Sequence, residues 1–160
     1  MRIYLAARYS RREELCGYRE QISSIGHTVQ AVWLDGKHQI GDRGIPIGDQ
    51  GEALVEGDDG STSQRAASLR QKFANEDLRD VCMCDLFIGF TEKPPDCHFY
   101  NVVKYRSWRI ESRGGMWVEM GIALGRMKQV WIVGPRGNLF CWHEDVRQFD
   151  TWETCLERLI

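Results

Sequence analysis

Residues 85–90, Asp85-Leu86-Phe87-Ile88-Gly89-Phe90, form a short apolar run, and the segments on either side of it decide the fold. A run of this length reads as a buried strand. Before it, residues 63–82 (S-Q-R-A-A-S-L-R-Q-K-F-A-N-E-D-L-R-D-V-C) carry a helical pattern, with Ala66, Leu69, Phe73, Leu78 and Val81 as the apolar positions. After it, an irregular stretch over 91–113 leads to Gly114-Gly115 and a helix reaching about Gly125. Residues 130–133 then read as a strand ended by Gly134-Pro135, and residues 152–159 as a closing helix. Toward the N-terminus, residues 2–7 (R-I-Y-L-A-A) read as another buried strand. The helix after it can be capped by Ser10, has Glu13 and Glu14 in its first turns, and stops near Ser24 with Gly26 in the usual C-terminal position. Residues 27–34 (H-T-V-Q-A-V-W-L) alternate like a further strand. Strands and helices in this alternation predict an α/β domain, a parallel sheet with helices on both faces. No repeat or second domain is visible, so residues 1–160 read as one domain. Ligands in such sheets bind beyond the carboxyl ends of the strands. Residues 6–12, 89–93 and 112–119 should converge there, with 36–61 and 91–113 as long loops nearby.

Composition narrows the classes. The 160 residues are 42% hydrophobic and 28% charged, with a formal charge of −2. That is a globular balance without the basic excess of a nucleic-acid binder. No apolar run approaches the ~20 residues of a membrane span. The opening I-Y-L-A-A is too short for a secretion signal, and arginines follow it, so a cytoplasmic protein is expected. Six cysteines (Cys16, Cys82, Cys84, Cys97, Cys141 and Cys155) fit neither a zinc pattern nor C-x-x-C and read as reduced thiols. Nothing indicates a metal or an organic cofactor.

The segment from Ser112 to Gly125 (S-R-G-G-M-W-V-E-M-G-I-A-L-G) carries the chemistry best. Gly121 and Gly125 each cost a helix about 0.5–1 kcal/mol relative to Ala, which suggests close packing against a neighbour. Gly114 and Gly115 free backbone N–H groups at the helix start, where anions bind. Glu119 lies just inside, and is either a solvated helix glutamate or a functional carboxylate.

The pattern G-G-x-x-V-E-x-G-x-A-L resembles the nucleophile segment of the nucleoside 2-deoxyribosyltransferase family, whose wider superfamily includes the 2′-deoxynucleoside 5′-monophosphate N-hydrolases. The opening I-Y-L-A, the run A-N-E-D-L-R-D-V-C-M-C-D-L-F-I and the later K-Q-V-W-I-V-G-P-R-G-N-L-F are similar to other family segments. The resemblance covers most of the chain except 36–61 and 94–111. It implies a flavodoxin-like (Rossmann-like) fold, in agreement with the strand–helix order. It implies that Glu119 attacks C1′ of a nucleoside or nucleotide and displaces the base through a glycosyl-enzyme. A carboxylate suits that oxocarbenium-like transition state. With an unperturbed pKa of about 4.3, Glu119 would be ionised at pH 7 and need positioning more than activation. Asp77 matches the family aspartate that orients the base or handles a proton. Asp85 reads as structural. Tyr4 and Tyr9 both lie near the first strand, and Tyr9, past its carboxyl end, is expected to position Glu119.

The 5′ end of the substrate is read from the same comparison. Nucleoside-processing members place an aspartate six residues before the glutamate, where it holds a free 5′-hydroxyl. Here that position is Arg113, preceded by Ser112. A carboxylate would repel a phosphate, whereas guanidinium and hydroxyl bind one. Ala7, Arg8, Ser10, Arg11 and Arg12 resemble the phosphate loop of the nucleotide hydrolases without its glycines. A 5′-monophosphate is therefore the expected substrate, with Gly114 and Gly115 at the same edge. Asn138 resembles a position that reaches a neighbouring subunit's site, which implies a homodimer or higher homo-oligomer; an ordinary turn asparagine is the other reading. Phe90 and Trp33 stand as candidate base contacts, while Trp108, Trp117 and Trp131 read as core or interface. Rival functions are base exchange on free nucleosides, a non-catalytic nucleotide sensor and NAD cleavage. The expected partner is a small nucleotide or nucleoside, with no nucleic-acid polymer and no membrane.

Overall fold

The computed structural model describes residues 1–8, 11–36, 64–91 and 115–160. Tyr9, Ser10, Ser112, Arg113, Gly114, Cys97, Trp108 and nearly all of both long loops lie outside the described residues, as do the side chains of Ala66 and Leu69. Among the described residues five strands form one parallel sheet: β1 (Arg2–Ala6), β2 (Thr28–Val29), β3 (Leu86–Phe90), β4 (Gln129–Val133) and β5 (Val146–Phe149), in the order β2-β1-β3-β4-β5. The helices are α1 (Arg12–Ser24), α2 (Gln64–Met83), α3 (Gly115–Gly125) and α4 (Trp152–Glu157), with 3₁₀ turns at Val32–Asp35 and Leu139–Trp142.

This is the flavodoxin-like strand order, and its direction reverses between β1 and β3. Right-handed crossovers then dictate the layers. The step from β1 out to β2 sends α1 to one face. The steps from β2 to β3 and β3 to β4 run the other way and send α2 and α3 to the opposite face. The side chains agree. On one face Tyr18 of α1 stacks on Trp152 of α4 at 4.4 Å and on Phe90 at 5.4 Å. On the other, Tyr4 stacks on its register partner Phe87 at 5.8 Å, and Met116 of α3 lies against Gly89. Strands β1, β3 and β4 are buried almost throughout, which is why they read as unbroken apolar runs. Arg2 at the foot of β1 pairs with Asp85 at 2.9 Å, a structural role for that aspartate.

Several sequence expectations change. Residues 27–34 do not form one strand. β2 ends at Val29, and Val32–Asp35 turns over the sheet edge because Asp80 captures the Val32 N–H at 3.0 Å and Trp33 Nε1 donates to the Leu5 carbonyl at 2.9 Å. An edge strand β5 appears in V-R-Q-F, whose inner pair of polar residues hides its pattern. Leu78 is 45% exposed rather than part of the core. Among the described residues Gly121 and Gly125 do not mark close packing, since an added Cβ would meet nothing within 4 Å. Gly26 does close α1 as expected, with φ +85°.

Gly134, just past β4, is the glycine the fold needs. Its φ is +109°, and a Cβ there would stand 2.7 Å from the Thr91 carbonyl oxygen. Gly134→Ala is expected to destabilise the protein by about 3 kcal/mol through strain and overlap. Urea unfolding should show this as a lower midpoint with an unchanged slope.

Candidate active site

Tyr4 is fully buried in β1 on the face covered by α2 and α3. A phenol in that position needs a polar partner. It finds one in Glu119, one turn inside α3: the Tyr4 hydroxyl donates to Glu119 Oε1 at 3.0 Å. Burial pushes the Glu119 carboxyl up to about 7, and the Tyr4 hydrogen bond opposes the rise. Glu119 is thus not a carboxylate of ordinary acidity, as the sequence suggested, but one that titrates near neutrality. The Tyr4 hydroxyl is itself held well above its ordinary range, by burial and then by the charge of Glu119, so it stays a donor.

Asp77 comes from the inner side of α2, which packs on α3. It is pushed up to about 8, first by burial, then by the negative charges of Glu119, Asp80 and Glu76. The same cluster therefore holds one carboxyl poised to ionise near pH 7 and a second that keeps its proton slightly longer. Such divergence suits a nucleophile and an acid working side by side. All of this lies beside the reversal point between β1 and β3, where open α/β sheets place their ligands. Among the described residues no group of three His, Cys, Asp or Glu side chains is arranged to hold a metal ion, and no helix is long and apolar enough to cross a membrane.

The other expected residues are distributed differently. Tyr9 lies outside the described residues; among the described residues the tyrosine that touches Glu119 is Tyr4. Its signal was the lone hydroxyl in the otherwise apolar I-Y-L-A run. Ala7 and Arg8 follow β1 at its carboxyl end, and Gly115 opens α3. Arg11 forms a two-point pair with Glu14, at 2.7 and 2.8 Å, and lies over Phe90. Arg12 donates to the Leu34 carbonyl at 2.8 Å and so anchors the 3₁₀ turn. Phe90, expected at the base, is 2% exposed on the α1–α4 face, opposite Glu119. Trp33 is likewise interior. Asn138 caps the second 3₁₀ turn by accepting the Cys141 N–H at 3.3 Å, the ordinary turn role. Asp80, which the sequence reading passed over, is buried one turn from Asp77.

Tyr4→Phe isolates the hydrogen bond. A bond to a charged group contributes about 1.5–3 kcal/mol, so its loss should raise the Glu119 titration midpoint by about one pH unit or more. Carboxyl ¹³C NMR of labelled glutamate checks this; an unmoved midpoint would show that the bond does not stabilise the carboxylate.

No protein-family model matches the chain, and no curated protein matches it in sequence. Solved structures do resemble it. One is a CMP N-glycosidase, BcmB, of Clostridium botulinum, at 14% identity and TM-score 0.52, covering 99% of this chain and 98% of that one. Another is a 2-deoxyribosyltransferase of Bacillus psychrosaccharolyticus, at 16% identity and TM-score 0.58, covering 98% of this chain and 90% of that one. At these identities the likeness is one of architecture: this chain carries the flavodoxin-like α/β fold on which both of those proteins are built.

Proposed function

We propose that the protein is an enzyme of the nucleoside 2-deoxyribosyltransferase superfamily that cleaves the N-glycosidic bond of a nucleoside 5′-monophosphate. The observation that carries this reading is the half-buried pair of Glu119, held by Tyr4, and Asp77, at the reversal point of the sheet. Glu119 attacks C1′ as the C1′–N bond breaks and its electron pair leaves with the base. Asp77 gives that base its proton. The Glu119 glycosyl ester is then opened by water at C1′, which loses a proton to the Asp77 carboxylate, releasing the sugar and regenerating both groups. The 5′-phosphate is the finer part of the reading. It rests on Arg113 and Ser112 in the sequence, because Arg11 and Arg12 are engaged by Glu14 and Leu34. The similarity to a 2-deoxyribosyltransferase supports a second reading, in which another base rather than water resolves the ester.

A panel of nucleosides, their 5′-monophosphates and NAD, followed by chromatography, tests both. Base release should be faster from a 5′-monophosphate than from the free nucleoside. Formation of a new nucleoside when a second base is in excess would favour transfer. Binding of nucleotides with no base released from any substrate would overturn the enzymatic reading.

A further inference from the structure

Asp80 follows Asp77 by three residues in α2, so the two side chains share one helix face a turn apart. Asp80 is 5% exposed, and a carboxylate is buried only with partners. Its Oδ2 accepts the Val32 N–H at 3.0 Å, and its Oδ1 lies 3.4 Å from the Arg79 guanidinium. Val32 opens the 3₁₀ turn whose Trp33 donates to Leu5, so Asp80 ties α2 to the carboxyl end of β1. Among the described residues, the negative charges that act on Asp77 are those of Glu119 from α3 and of Asp80 and Glu76 from its own helix, and Tyr4 of β1 joins the same cluster through Glu119. From the 3₁₀ turn, Asp35 is engaged by Arg19 of α1 at 2.9 Å. The Asp80 carboxylate is fixed in place by the Val32 bond, with the Arg79 guanidinium on its other oxygen.

We propose that Asp80 is a positioning residue for Asp77: pinned by the Val32 N–H one helical turn away, its carboxylate adds to the burial and the Glu119 charge that hold Asp77 in the acid form a departing base requires. The use of that proton rests on the proposed glycosidic cleavage; the control of Asp77 by Asp80 does not. A buried charge one turn away acts through a low effective dielectric and shifts its neighbour accordingly.

Asp80→Asn keeps an acceptor for the Val32 N–H and removes the charge; Asp80→Ser offers a second neutral acceptor, and Asp80→Glu keeps the charge. In carboxyl ¹³C titrations, Asp80→Asn or Asp80→Ser should lower the Asp77 midpoint by about one pH unit, and Asp80→Glu should largely restore it. The alkaline limb of base release should move down by the same amount. A folded neutral variant with an unmoved Asp77 midpoint makes Asp80 a cap for the 3₁₀ turn and nothing more, and overturns the proposal. If the wild type releases no base from any substrate, the enzymatic reading falls, while the Asp77 midpoint still decides the role of Asp80.

Discussion

Glu119→Gln is expected to lower base release by at least about a thousandfold, because the amide keeps the shape of the side chain but cannot form the glycosyl ester. Loss of folding would not be the cause. A buried acid whose folded pKa lies above its unfolded value stabilises the protein below the unfolded value. It loses that contribution as pH rises through the folded one. Glu119 is ordinary when unfolded and is pushed up to about 7 in the fold. Between about pH 4.5 and 7 its burial becomes progressively unfavourable, and at pH 8 the neutral amide should be the more stable side chain by roughly 2 kcal/mol. For a chain of this length that is a Tm increase of roughly 5 °C. The variant should thus be nearly inactive and harder to melt, a combination that scanning calorimetry and the base-release assay read together. Retained activity would remove Glu119 from the reaction.

Asp77→Asn is expected to cost about a hundredfold or more in rate at pH 7.5, the usual scale for a lost general acid. Its signature is the pH profile. Glu119 must be ionised, so activity rises as pH rises through about 7. Asp77 must be protonated, so activity falls as pH rises through about 8. The wild type should give a narrow bell whose limbs belong to the coupled pair. The asparagine variant should keep the acid limb and lose the alkaline one. A profile with both limbs intact would place the acid elsewhere. A substrate whose base leaves readily without protonation should lose much less in this variant than a poor leaving group does.

The centre of the fold was legible because its strands are buried on both faces. I-Y-L-A, L-F-I-G-F and V-W-I-V are apolar throughout, and no other element type suits runs so short. The edges were not. β2 and β5 are set by partners distant in sequence: Asp80 drawing Val32 out of line, and the β4 register beside V-R-Q-F. Glu119 and Asp77 stood out through their helical segments. Tyr4, the partner of Glu119, did not, because alternation along a strand tells which residues share a face but not which helix covers it. The same ambiguity made Phe90 a candidate base contact when it faces α1 and α4. Arg11 looked like a phosphate ligand because clustered arginines do, yet Glu14 three residues on lies within its reach. The helix glycines Gly121 and Gly125 misled for a related reason: composition shows that a residue is small, not what lies above it.

The proposed reaction turns on a covalent bond between Glu119 and C1′. Intact-mass spectrometry of the protein, quenched during turnover of a substrate bearing a fluorine at C2′ to slow hydrolysis of the ester, tests it most directly. One added glycosyl group is expected, mapped by peptide sequencing to Glu119 and absent from Glu119→Gln. Base release by the wild type with no adduct, or with the adduct on another residue, would contradict it.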